Sequence, residues 1–229
     1  MAVLLPPGWT PERSWPVILS LHGSGERGTD GVAQTNVGLG PAIRKHPIPA
    51  IAVFPQIPAN ARWLGEGADT AMRALDAAMT EFSGDRARIY LTGLSLGGYG
   101  TWHLALAHPQ RFAELIPVCG GIVDVPTATS VRQSPLNAHA PDPYAFTAHA
   151  LRHLRTWIFH GADDPIIPAS ESRRMFAALR AEGADVQYTE LAGVGHNAWT
   201  QAYAHAELWS WLGAVAQLPL CDAEPAERA

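Results

Sequence analysis

The chain has 229 residues, 47% of them hydrophobic and 16% charged, the balance of a compact globular protein long enough to bury one large core. A formal net charge of −5, with the 16 Lys and Arg scattered and no basic run, excludes the electrostatic footprint of a nucleic-acid binder. No apolar stretch is long enough for a membrane-spanning helix, so no membrane partner is expected.

The opening MAVLLPPGWTPERSWP has no charged start, and its short apolar run meets two prolines, unlike a signal peptide. As written the chain reads as cytoplasmic; a trimmed secreted chain would carry the same marks. Residues 3–5 form the stub of an edge strand, cut short by Pro6, Pro7 and Gly8. Short apolar runs bounded by Gly and Pro predict buried strands at 16–21 (PVILSL), 50–54 (AIAVF), 88–92, 115–118, 156–159 and 185–190. Helix-like stretches at 69–82, 96–108, 169–182 and 198–214 alternate with them. Such alternation implies crossover units and a mostly parallel sheet flanked by helices, an α/β class with minimal N-terminal strands and no large cap domain. We expect one domain over 1–217 and a loose polar tail over 218–229. The proline-rich stretch 120–145 reads as irregular and suited to the rim of a site. Cys119 and Cys221 lie 102 positions apart, one after an apolar run and one in the tail, and no disulfide is expected between them.

Residues 93–97 read GLSLG, after the apolar run RIYLT and before the helical pattern GYGTWHLALAH. The string alone is a weak signal; its setting strengthens it. A serine on a tight strand-to-helix turn needs small neighbours, and the start of the helix aims free N–H groups at its hydroxyl. Ser95 is therefore the candidate nucleophile, against the plain reading of a helix-capping serine. Its proton needs a base, and only His196 and His205 lie beyond the last predicted strand. His196 sits in the flexible loop GVGHNAW and is favoured; His205 falls within a helical stretch. The orienting acid should follow the preceding strand, where HGADDPIIP offers Asp163 and Asp164; Asp124 is a distant third. Spacing does not separate the adjacent pair.

The loop SLHGSGERGTD follows the first central strand and repeats glycine at positions 23, 25, 28 and 31. Close backbone approach suits oxyanion donors, assigned here to the N–H groups of Ser24 and Leu96. Glu26 and Arg27 read either as a local ion pair or as solvated charges, and His22 as a structural ring bonded to nearby backbone. Trp102, Trp209 and Trp211 read as core, whereas Trp63 and Trp199, placed in loops, are candidates to line an apolar substrate pocket. His149 and His153 are four apart but lack a third ligand, and no metal is expected. The glycines of 93–100 do not fit a dinucleotide loop, because Ser95 stands where the backbone would have to approach a phosphate.

Together the stretches PPGW, LHGSGERGTD, GLSLGGYGTW, PVCGG, FHGADDPIIP and GVGHNAW resemble the single-domain carboxylesterase and dienelactone-hydrolase-like branch of the α/β-hydrolase superfamily, including its predicted peptidases and polyhydroxybutyrate-depolymerase-like esterases. They span most of the chain in that branch's order. The resemblance implies a Ser95, His196 and Asp164 triad, choosing Asp164 over Asp163, and the same oxyanion donors, Ser24 and Leu96. The short stretch before PPGW departs from the branch, whose members usually have more strand there. The expected activity is two-step hydrolysis of a small-molecule or polymer-attached ester, with no metal or organic cofactor. A peptidase would use the same groups on an amide; a non-catalytic binding homologue would lack one of the three residues, and none is missing.

Overall fold

The structure, a computed structural model, describes residues 1–124, 136–137 and 139–212. Seven strands, β1 Ala2–Leu4, β2 Trp15–Leu21, β3 Ile51–Phe54, β4 Gly84–Leu94, β5 Glu114–Val118, β6 Arg155–Gly161 and β7 Val186–Leu191, form one sheet in the order β1-β3-β2-β4-β5-β6-β7. All pairs are parallel except β1 with β3. The stub at the N-terminus is thus a true edge strand, and Pro6 and Pro7 stop it after three residues.

Side chains of the central strands alternate between two cores, as the pleat dictates. Val17, Leu19, Leu21, Ile51, Val53, Ile89, Leu91 and Leu115 face one side, where they meet helices α2 Glu66–Glu81, α3 Leu96–Ala107, α4 Pro143–Leu151 and α5 Ser170–Ala181. Ile18, Ala52, Phe54, Tyr90, Ile116, Val118, Trp157 and Phe159 face the other, against α1 Leu39–Lys45, α6 Trp199–Ala204 and α7 Ala206–Trp211. This three-layer α/β-hydrolase fold agrees with the class read from the alternation of short apolar runs and longer amphipathic ones.

Three helical expectations change. Helix α1 (LGPAIRK) is short and carries Gly40 and Pro41 in its first turn, which read as breakers. Residues 143–145 are not irregular but open α4, whose start has a recognisable signature: Asp142 accepts the N–H groups of Tyr144 and Ala145, and Pro143 takes the first position. The described part of the predicted helix 198–214, which ends at Leu212, is two helices broken at His205, where ψ is 113°. His205 is thus a hinge residue packed on Trp157 and Phe159 at ring separations of 5.3 and 5.7 Å, not a mid-helix position. Most of the proline-rich stretch, the tail from 218 onward and Cys221 lie outside the described residues. Among those residues Cys119 is a buried free thiol, and no helix is long and apolar enough to cross a membrane.

The strand order reverses direction at β2: β3 lies on one flank and β4 on the other. Loops leaving the carboxyl ends of β2 and β4 therefore diverge, opening a crevice at a topological switch point. The glycine-rich loop leaves β2 there, and Ser95 follows β4.

Candidate active site

Ser95 occupies the turn between β4 and α3 with φ 54° and ψ −115°, a left-handed conformation costly for any residue with a β-carbon. Neighbouring bonds hold it: its N–H donates to Val118 O at 2.9 Å, and its carbonyl accepts from Gly98 and Tyr99. The flanking glycines are required by contact. A β-carbon on Gly97 would stand 2.1 Å from Leu21 O, and one on Gly93 would stand 2.2 Å from Gly97 O. The Ser95 side chain makes no capping bond to the helix it precedes. Its hydroxyl instead meets His196 Nε2 at 2.8 Å.

His196 arrives from the loop between β7 and α6. Gly161, at the end of β6, lets that loop pass close, since a β-carbon there would lie 2.1 Å from Gly195 O. Asp163 N–H donates to Val194 O and Ala162 N–H to Leu191 O, so the loops after β6 and β7 are stitched together. This places Asp164 Oδ2 2.7 Å from His196 Nδ1. Asp163, its neighbour, points outward and is exposed, and Asp124 is exposed beyond β5. The geometry thus separates the three acids that spacing left open.

Asp164 is deeply held. Its Oδ1 accepts the Ile166 and Ile167 N–H groups at 2.8 and 3.0 Å. A residue the sequence reading overlooked, His160, is fully buried beside it, with Nε2 3.3 Å from Asp164 Oδ2 and 2.9 Å from Ile167 O, and Nδ1 2.7 Å from Ser172 Oγ. Its position in FHGADD, four residues before Asp164, was the available signal. Burial alone would raise the Asp164 pKa. Hydrogen bonds from His160, His196, Ile167 and Ile166 outweigh it and hold the carboxyl well below the usual carboxylate range. A carboxylate only accepts, so the His196 proton belongs on Nδ1, which leaves Nε2 to accept from Ser95.

The loop after β2 is fixed from several sides. Ile57 N–H donates to His22 Nε2 at 3.2 Å, so His22 Nδ1 donates to Gly23 O at 2.6 Å. Burial lowers the His22 pKa to about 4, and the ring is neutral. His22 is structural, as read. Arg27 Nε donates to Ser24 O and Gln56 Nε2 to Glu26 O, fixing the 3-10 turn Ser24–Glu26. Among the described residues Arg27 and Glu26 form no ion pair with each other, and neither the Ser24 nor the Leu96 amide is consumed by a turn or loop hydrogen bond. Across the site, Glu171 on α5 accepts from the Ile122 and Val123 amides and from Tyr144 Oη, fixing the chain beyond Cys119.

The two candidate pocket tryptophans part ways. Trp63 lines no accessible pocket: it is 1% exposed, donates Nε1–H to His22 O at 2.9 Å, and packs edge-on against the His22 ring. It lies in a loop, but that loop tucks under Gly100, where a β-carbon would meet Trp63 Cβ at 2.6 Å. Trp199 opens α6, stands edge-on to His196 at 5.7 Å, and lines a groove of about 360 Å³ with Val37, Gly38, Pro41 and Tyr203. Trp102 and Trp211 are core residues, and Trp209 is partly buried. His149 pairs with Glu182 and His153 with Pro109 O, and no cluster of three metal-ligating side chains occurs among the described residues.

A sheet of this order with a serine on the turn after its central strand defines an α/β-hydrolase-fold serine hydrolase. The chain belongs to the prolyl oligopeptidase family, whose model matches residues 59–218. No curated protein matches it. Among solved structures it is similar to a thermostable esterase, at 29% identity and TM-score 0.76 over 92% of this chain; it spans 57% of that protein's length. It also shares its fold with a substrate-bound, fluorophosphonate-binding serine hydrolase of Staphylococcus aureus (17% identity, TM-score 0.68, covering 92% of this chain and 90% of that one). An acylaminoacyl peptidase of Pyrococcus horikoshii has the same fold (18% identity, TM-score 0.66, covering 91% of this chain and 38% of that one).

Proposed function

We propose that the protein hydrolyses carboxylic esters through an acyl-enzyme on Ser95. The observation that carries this reading is the continuous hydrogen-bond path from Asp164 through His196 to Ser95, at 2.7 and 2.8 Å. As Ser95 Oγ attacks the ester carbonyl, its proton passes to His196 Nε2, and the buried Asp164 carboxylate stabilises the imidazolium and keeps the ring oriented. Charge developing on the carbonyl oxygen is met by the Ser24 and Leu96 amides, one on each wall of the crevice. Collapse expels the alcohol, protonated by His196. Water, deprotonated by the same nitrogen, then releases the acid and restores Ser95. Every step uses side chains and backbone amides of this chain.

The groove beside Trp199 supplies apolar surface for one end of the ester, which suits small-molecule and polymer-attached substrates alike. A second reading, amide hydrolysis with the same groups, is favoured by the family match and by the name of the Pyrococcus relative. The esterase reading takes precedence because the solved relative with the higher identity is named an esterase. Release of nitrophenol from 4-nitrophenyl butyrate by wild type and by S95A tests it: absence of turnover, or equal turnover by both, would sink it. A peptide panel under the same conditions tests the second reading.

A further inference from the structure

We infer that Glu26 selects the acyl group by hydrogen-bonding an O–H or N–H donor carried beside the scissile carbonyl. The inference rests on the ester-hydrolase reading above. Glu26 ends the 3-10 turn after β2, and its Oε2 is buried with no hydrogen-bond partner among the described residues. Buried carboxyl oxygens ordinarily have partners, so a lone one beside a site marks a place where a donor is to arrive. The carboxyl and the nucleophile both border Gly23. The point a β-carbon on Gly23 would occupy is 3.1 Å from Glu26 Oε2 and 3.6 Å from Ser95 Cβ.

Among the described residues no cation pairs with the carboxyl. Arg27 spends its guanidinium on Ser24 O and Ala61 O, and the backbone of Glu26 is pinned by Gln56. Burial raises the carboxyl pKa, opposed by the neighbouring Gly23 and Glu26 backbone amides, neither of which reaches hydrogen-bonding geometry to Oε2; charged or neutral, the group retains an accepting oxygen. Topology assigns the side of the substrate. His196, which protonates the leaving alcohol, reaches Ser95 from beyond β6 and β7, whereas Glu26 reaches it from β2, on the opposite flank of β4. The alcohol faces His196, and the acyl chain faces Glu26.

Hydrolysis of methyl butyrate, methyl 2-hydroxybutyrate and methyl N-acetylglycinate, followed by titration of released acid, tests this in wild type, E26Q and E26A, with thermal melting of each. Every kcat/KM is divided by the hydroxide-catalysed rate of that ester. Wild type should favour at least one donor-bearing ester by about tenfold. The favoured ester shows whether O–H or N–H is recognised. E26A should bring the ratio close to one, and E26Q, which keeps an accepting oxygen, should retain part of it. A wild-type ratio near one, or an equal fall on all three esters in E26A, overturns the inference; the latter marks a supporting role for the loop. The wild-type ratio and E26Q decide the matter even where E26A fails to fold. Turnover of none of the esters by wild type overturns the ester-hydrolase reading itself, a result distinct from turnover without preference.

Discussion

Oδ2 of Asp164, a side chain with no solvent exposure, lies 2.7 Å from His196 Nδ1, while its neighbour Asp163 faces solvent. Two adjacent carboxylates of identical chemistry therefore have opposite consequences when altered. D164N replaces an acceptor with an amide that misorients the imidazole and should lower kcat by about 10³- to 10⁴-fold, with KM little changed. D163N should stay within about twofold of wild type. Steady-state kinetics on one nitrophenyl ester reads both; equal losses would reject the assignment.

His22 provides a pH test of the loop after β2. Its folded pKa, about 4, lies below the ordinary histidine value of 6.5, so between these pH values the unfolded chain binds a proton that the native ring does not. Stability should therefore fall with decreasing pH from about 6.5 toward 4 and be insensitive to His22 below that window. The loss from His22 is about 2 kcal/mol between pH 7 and pH 5. Urea unfolding of wild type and H22N at both pH values measures it, and the variant comparison cancels other groups such as His103, whose pKa burial also lowers. Parallel pH dependence in the two proteins would count against a neutral, buried ring.

Trp63 and Trp199 should separate stability from selectivity. W63A removes a ring that is 1% exposed and the support of His22, and should cost about 3–5 kcal/mol of unfolding free energy. W199A should leave the melting temperature closer to wild type but shift preference along a series of 4-nitrophenyl esters of increasing acyl length, because the ring stands edge-on to His196 and also lines the groove. An unchanged chain-length profile in W199A would remove that groove from the substrate site.

Gly97 tests the elbow. A single methyl group there meets Leu21 O at 2.1 Å, so G97A must push α3 from β2 and should cost about 2–4 kcal/mol together with most of the activity. Gly25, whose β-carbon would meet nothing within 4 Å, should accept alanine with little loss of stability. Thermal melts of the two variants give the contrast.

Much of this arrangement is legible in one dimension because its causes are local. Short apolar runs between glycines and prolines mark strands wherever both faces are buried, and the G-x-S-x-G turn declares itself because a helix cannot leave a strand so sharply past larger side chains. The helices α1 and α4 were less visible, since Pro41 and Pro143 read as breakers when each stands in a first turn that tolerates proline. Trp63 misled because a loop position suggests exposure, whereas burial depends on what folds over the loop.

The sequence by itself determined the α/β class, the nucleophile candidate, the glycine-rich loop after β2 and the order of Ser95, the candidate acids and His196, all of which follow from spacing and residue chemistry. Only the tertiary structure decided which of Asp163 and Asp164 faces His196, that His160 backs it, that Trp63 is core, and that Glu26 holds a buried, unpartnered oxygen next to Gly23. These depend on side-chain direction and on distances between segments up to 101 residues apart. Such distances are set by the closing of the sheet and not by any stretch of chain within it.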